Sequence, residues 1–285
     1  MALLRKNSNL YLTIVRLRRN RLAVAGLCIV IILVLTAVLA PLIAPYHYAT
    51  QSLVDAFEPP SWQHPLGTDE FGRDVLSRII YGAQVSLQVG IFAVWLAMLI
   101  GGTLGAIAAY YGGRIDNVIM RFMDVLFAIP QILLAITIAA ALGPGLLNLT
   151  IAVGIAAVPS FARIVRGAVL SIVGQEFIEA AHCMGASDAW IIAKHILPNC
   201  SAPIIVQATL RVAQAILAAA ALSFLGLGIQ PPFPEWGGML ASARGYLRDY
   251  AYMAVFPGLA IMITIMALNF LGDGLRDAMD PKLKR

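Results

Sequence analysis

This sequence has little charge: Asp, Glu, Lys and Arg make up 12% of its 285 residues, against 60% hydrophobic residues. That ratio excludes an ordinary soluble domain, which buries far less apolar surface at this length, and implies an integral membrane protein. Cysteine is scarce as well. Cys28, Cys183 and Cys200 are odd in number and form no C-x-x-C or His/Cys cluster. A disulfide framework and a structural metal site are therefore not suggested, and the three read as packing residues. The four histidines, His47, His64, His182 and His195, include no H-E-x-x-H, which leaves a zinc-dependent intramembrane protease unsupported. Lysine occurs only at Lys6, Lys194, Lys282 and Lys284, none within a G-x-x-x-x-G-K-[ST] pattern, so this chain does not itself hydrolyse ATP through a P-loop. Paired carboxylates inside the apolar runs, expected where protons drive transport, are also missing, since Asp116 and Asp124 sit near the end of one run. No repeat of about 20 to 50 residues and no low-complexity tract occurs.

What is there is a set of six apolar stretches, each long enough to cross a bilayer core of roughly 30 Å: about Leu22 to Ala44, Val85 to Tyr110, Val118 to Leu142, Leu146 to Ala168, Ala202 to Ile229 and Ala251 to Leu271. The first follows Arg16 to Arg21 and runs to Pro41 and beyond, longer than a cleaved signal core, and is expected to be a retained anchor. The fourth is shortened by Pro159, Arg163 and Arg166. With the amino terminus inside, one side receives sixteen of the 20 Lys and Arg residues; the other receives only Arg73, Arg78, Arg244 and Arg248. The positive-inside rule then puts both termini in the cytoplasm, and the net charge of +5 reads as membrane orientation rather than nucleic-acid binding. Arg211 is the one charge close to a span interior; a small boundary shift returns it to the cytoplasmic interface, and it is not expected to be a substrate ligand. Pro130 and Gly154 are expected to bend or loosen the third and fourth spans, and Gly101, Gly102, Gly105 and Ala218 to Ala221 to permit close helix packing.

The longest polar interruption between the later runs is EAAHCMGASDAWIIAKHILPN, Glu179 to Asn199, on the cytoplasmic side by charge. Gln175 to Met184 winds as a short helix with Phe177, Ala180, Ala181 and Met184 on one face and Gln175, Glu179 and His182 on the other. Gly185 suits the left-handed position after a helix end; Ser187 and Asp188 suit the start of a second helix running through Trp190 towards Pro198. Small residues beside a glycine let another surface approach closely, and Glu179 adds an orienting charge, which makes a docking knob. An amphipathic loop lying on the membrane is the other physical reading.

Glu179-Ala180-Ala181, then Gly185, then Leu197-Pro198 thirteen residues on, resembles the EAA loop of ABC importer permeases. His195 stands where that pattern usually has Ile, a substitution familiar in the dipeptide/oligopeptide/nickel branch. The resemblance implies that this loop, within 169–201, is a coupling helix that docks on a separate ATPase through Glu179, Ala180, Ala181, Gly185, Leu197 and Pro198. Two further stretches resemble the same branch. Gly-Thr-Asp-x-x-Gly-Arg-Asp, Gly67 to Asp74, lies outside before the second span; there Asp74 and Arg78 are spaced to pair on a helix, with Val75, Ile79 and Ile80 facing the membrane. A plain interfacial helix is the alternative. Gly226 to Leu240 is an outside loop rich in Pro and Gly; Gln230, Pro231, Pro232, Glu235 and Trp236 are candidates for contact with a binding protein or for an outer gate, and an ordinary turn is the alternative.

The resulting expectation is an all-α polytopic membrane protein of about six transmembrane helices with the type I ABC importer permease fold. Residues 1–84 form a tail, an anchor helix and an outside segment, and 85–285 a five-helix core. By resemblance the chain is a non-catalytic permease in a bacterial inner membrane, pairing with a homologous permease as a heterodimer and working with two cytoplasmic ATPases and a periplasmic or lipid-anchored binding protein. It binds no cofactor itself, ATP and Mg being used by partner subunits. Peptide is the expected cargo, with nickel, glutathione or another small solute as alternatives. An ion-driven secondary transporter and a membrane enzyme are the competing classes; the first lacks intramembrane charges and an inverted repeat, the second a catalytic constellation.

Overall fold

A computed structural model describes residues 9–279 of the chain. Arg5, Lys6, Lys282, Lys284 and Arg285, which contribute to the charge count, lie outside the described residues. Among the described residues twelve α-helices run in order: α1 Asn9–Arg19, α2 Arg21–Val38, α3 Ala40–Ile43, α4 Val75–Tyr111, α5 Gly113–Phe127, α6 Gln131–Leu142, α7 Leu146–Leu170, α8 Glu176–Cys183, α9 Asp188–Ile191, α10 Leu197–Phe224, α11 Trp236–Ala243 and α12 Tyr252–Met279. Among the described residues there is no strand, only an isolated bridge between Thr68 and Asp74. Within the described residues five helical runs are long and apolar enough to cross a membrane, six if α5 and α6 count as one bent span.

That bent pair bears out the bend expected at Pro130 and sharpens it into a break within the third predicted run. Residues 118–142 do not form one rod: α5 and α6 meet at 86° across a short break. Pro130 lacks an N–H and disfavours helical backbone in the residue before it, which stops α5 and starts α6. At 1.5 Å per residue α6 is about 18 Å long, too short to span alone. Ala135 and Ala139 dock it on α7 against Leu149, Ala152, Val153 and Ala156.

The centre of the molecule is the α4–α7 crossing. A Cβ on Gly101 or Gly105, four apart on one face of α4, would run into the backbone of Val158 and Ala162, so only glycine lets these two helices touch. Pro159 does not interrupt α7, which continues past Arg163 and Arg166. Both arginines are neutralised by α5. Arg166 forks onto Asp116 with two bonds of 2.6 Å, and Arg163 reaches Asp124 at 2.7 Å while lying over the Phe127 ring at 3.8 Å. On the other flank α2 and α12 close on each other where Gly26 meets the Ala267 carbonyl, and α11 plugs the space between α4, α10 and α12 with the buried side chains of Trp236 and Met239. α4 begins ten residues before the predicted second run, at Val75, so the division at 84/85 falls inside one continuous helix.

Candidate functional site

The polar sequence collects at the two ends of the bundle. At one end, α8 and α9 form the corner expected from Glu179 to Asn199. Gly185 adopts φ +79°, the left-handed geometry a side chain would strain, and donates its N–H to the His182 carbonyl; Ala186 N–H reaches back to Ala181. The corner is held by a small apolar cluster in which Ile178, Ala181, Ile191, Ile196 and Cys200 pack on Ala106, Ala109, Val165 and Val169 of α4 and α7. Tyr110, at the last turn of α4, ties the two short helices together. Its hydroxyl donates to Asp188 Oδ1 at 2.8 Å and lies 3.2 Å from His182 Nε2. Sequence reading did not single out Tyr110, because its partners lie 72 and 78 residues away; a hydroxyl-bearing ring at the end of an apolar run was the available signal.

The faces of α8 differ from expectation in one position. Phe177, Ala180 and Met184 do point outward, Met184 being 80% exposed, but Ala181 is 1% exposed and turns inward with Ile178. Ala181 therefore supports the corner instead of lining its surface. Glu179, Ala180 and Gly185 are exposed, as are Leu197 and Pro198. Pro198 is not a terminus. The chain passes from α9 through a π-helical turn, Ile192–Ile196, directly into α10. The wider turn accommodates a proline that has no N–H to give and whose ring crowds the preceding turn. α9 and the span are thus one helical lever, to which α8 is joined through the Gly185 turn. His195 sits 4.8 Å from the Trp190 ring, edge-on, within the π-helical turn.

At the other end, residues 64–78 form a knot of charges folded inward. Gly67 and Gly72 take φ +77° and +68°, which turns the chain back on itself. Arg73 Nε donates to Asp69 Oδ2 at 2.6 Å and Nη2 to Glu70 at 3.3 Å. The expected Asp74–Arg78 pair does not form. Asp74 is the N-cap of α4, accepting from Ser77 N and Oγ at 2.7 Å, and faces His64 at 3.0 Å. Arg78 approaches Asp69 at 3.5 Å and donates to the carbonyls of Tyr48 and Pro232. Val75, expected to face the membrane, is 1% exposed. Burial raises the Glu70 carboxyl above its usual range despite the nearby Arg73.

Of the outside-loop candidates, Gln230, Pro231 and Pro232 are exposed, whereas Glu235 and Trp236 are buried. Glu235 caps α11, accepting from Gly237 N–H at 2.9 Å and Gly238 N–H at 2.8 Å, and burial raises its carboxyl. Trp236 Nε1 donates to the Ile79 carbonyl at 3.1 Å. Both side chains are spent inside this chain and offer nothing to an outside partner. Among the described residues no cluster of His, Cys, Asp and Glu is arranged to hold a metal.

Known proteins share this sequence and architecture. The family model described as binding-protein-dependent transport system inner membrane component matches residues 101–285, and that described as N-terminal TM domain of oligopeptide transport permease C matches 8–60. The chain is 51% identical to the dipeptide transport system permease protein of Alkalihalophilus pseudofirmus, over 94% of this chain and 88% of that one. It is 46% identical to the di/tripeptide transport system permease of Pseudomonas aeruginosa over 93% and 89%. It is 50% identical to the glutathione transport system permease of Escherichia coli over 94% and 89%. Its fold is similar to that of a chain of the inward-facing MetNI methionine ABC transporter, with a TM-score of 0.58, 19% identity and coverage of 71% of this chain and 96% of that one.

Proposed function

From a chain that belongs to the family of binding-protein-dependent transport system inner membrane components, we propose the permease subunit of a peptide importer that carries di- and oligopeptides across the bacterial inner membrane. The observation that carries the cargo class is the 46 to 51% identity, over nearly the whole chain, to permeases of dipeptide and di/tripeptide systems. In this reading the subunit is non-catalytic. A binding protein delivers peptide at the knot end, a homologous permease completes the pathway, and two ATPases using ATP and Mg dock at the corner end, which faces the cytoplasm with both termini.

The corner suits that work mechanically. Its exposed residues Glu179, Ala180 and Gly185 stand on a base packed into α4 and α7, and from α9 onward the chain runs without a break into α10. Force applied to α8 by closing ATPases is delivered to a membrane span rather than absorbed in a loop, and the core helices alternate between inward and outward opening. Glutathione, itself a tripeptide, is the second reading, supported by the 50% identity to a glutathione permease.

The test is co-purification and transport by the assembled complex. Gly185→Arg puts a branched cation at a position with φ +79° on the corner surface and is expected to strip the ATPases from a still-inserted permease pair; Glu179→Ala is expected to weaken their retention. Uptake of a labelled dipeptide, competed by unlabelled dipeptide but not by glutathione, supports the first cargo. Full ATPase retention and undiminished uptake in both variants overturn the docking role.

A further inference from the structure

The importer reading uses the corner of the molecule and leaves one face of α10 without a purpose. The buried face of this helix carries Ala213, Ala215, Ile216, Ala219 and Ala220, packed into the two main core clusters. Gln207, Arg211 and Gln214 are spaced four and three residues apart and share the opposite face. Gln214 is exposed, the other two are half-buried, and none belongs to a core cluster.

Arg211 is the fifteenth of the 28 residues of α10, so each end of the helix lies about 20 Å away at 1.5 Å per residue. The first turns of α10, with exposed Leu197 and Pro198, belong to the corner, and a core of roughly 30 Å measured inward from Phe224 leaves Arg211 about 10 Å inside the corner-side edge of the span. Its Nη1 donates to Gln214 Oε1 at 2.8 Å, and among the described residues no carboxylate pairs with it. The contrast with Arg163, Arg166, Arg73 and Arg78, each beside an acid, is direct. A cation at this depth is tolerated where it faces water or an opposite charge, not lipid tails. The planar guanidinium keeps four of its five N–H donors for a ligand and matches a carboxylate with two parallel bonds. Gln207 and Gln214 bring both donors and acceptors, the complement of a peptide amide. From Gln207 to Gln214 the stripe is about 10 Å long, the scale of a short peptide.

We infer that Gln207, Arg211 and Gln214 form a water-facing anion subsite on the translocation pathway, in which Arg211 receives the free terminal carboxylate of a passing peptide. The inference rests on the importer reading above, because it requires an aqueous path along this face at the junction with a second permease. One fixed cation among neutral groups holds an anion without trapping it, as a pathway site must.

The experiment places Gln214→Cys in the assembled, membrane-embedded complex, in a background with the exposed Cys28 and Cys183 replaced by alanine and the buried Cys200 retained. Modification rates by anionic sulfonatoethyl and cationic trimethylammonium-ethyl methanethiosulfonate are compared, from either side, without nucleotide and with ATP trapped. The anionic reagent is expected to react faster. Adding Arg211→Gln is expected to lower the anionic-to-cationic rate ratio about tenfold, the effect of one unit charge roughly 6 Å away in water on reagents of opposite sign, and Arg211→Lys to preserve it. Protection from both reagents in every state overturns the subsite by putting the stripe against lipid or another helix. A ratio unmoved by Arg211→Gln overturns it by showing that another subunit's acid already neutralises the charge. Dipeptide uptake by the background without the Gln214 change separates the failures: absent uptake counts against the importer reading, and intact uptake with an unmoved ratio counts against the subsite alone.

Discussion

The two ends of the bundle hold most of the polar sequence and use it in opposite ways. At the knot end the chain turns its charges inward: Asp69, Arg73, Asp74, Arg78 and Glu235 are all 6% exposed or less and answer one another or cap a helix. At the corner end Ile178, Ala181, Ile191 and Ile196 form the base, while Glu179, Ala180, Met184 and Gly185 stay on the surface. A polar residue in an apolar chain is thus not in itself a contact residue. What decides is whether the same chain already satisfies it. An end that closes its own charges gains rigidity; an end that leaves side chains outside keeps them for another surface.

The comparison breaks hardest at Asp69. Asp69→Ala leaves Arg73 and Arg78 buried without their main acid, and is expected to cost roughly 3 to 5 kcal/mol, read as a lower melting temperature and yield of the purified complex. A loss below about 1 kcal/mol would mean that the knot is not the stabilising end. Tyr110→Phe is the matching change at the corner. Removing the hydroxyl that holds Asp188 and His182 is expected to cost roughly 0.5 to 1.5 kcal/mol. Its signature is faster amide exchange confined to 176–191, with the spans unchanged; uniform exchange throughout would show that the corner does not hinge on this residue.

Smaller still is a pH effect. The Glu70 carboxyl is raised above 4.5 in the folded chain, so its contribution is fully present below the unfolded value and is lost as pH rises through the folded one. Stability of the wild-type complex is expected to fall across that interval, and Glu70→Gln to flatten the fall; parallel pH profiles would assign the dependence elsewhere. Smallest is Glu179→Ala, an exposed residue without an ion pair among the described residues. Stability is expected to stay within about 0.5 kcal/mol while ATPase retention falls. A stability loss as large as that of Tyr110→Phe would erase the difference between surface and base.

Much of the corner was legible because its signals are local. Gly185 follows an eight-residue helix and takes the left-handed turn, and Ser187 starts the next. The inward turn of Ala181 was not legible, since Ala180 and Ala181 are equivalent by composition and only the position of α4 and α7 distinguishes them. At the knot, spacing suggested Asp74 with Arg78, a legitimate helical pair. The helix, however, starts between them, so Asp74 caps the N–H of Ser77 and Arg78 turns to Asp69. Glu235 and Trp236 looked available in a Pro- and Gly-rich stretch and are internal because α11 plugs the bundle.

By itself the sequence determined the membrane class, the number of apolar runs, the charge asymmetry and the glycine corner. Each of these is a property of a short window or a sum over residues, set by bilayer thickness, the cost of charge in hydrocarbon and local backbone sterics. Tertiary structure alone decided the 86° angle at the break that Pro130 marks, the passage of α9 through a π turn into α10, and the pairing of Arg163 and Arg166 with α5. Those depend on which groups meet across 39 to 50 residues of chain or along a helix whose ends no local signal marks, and a meeting of that kind is fixed only when the helices have packed.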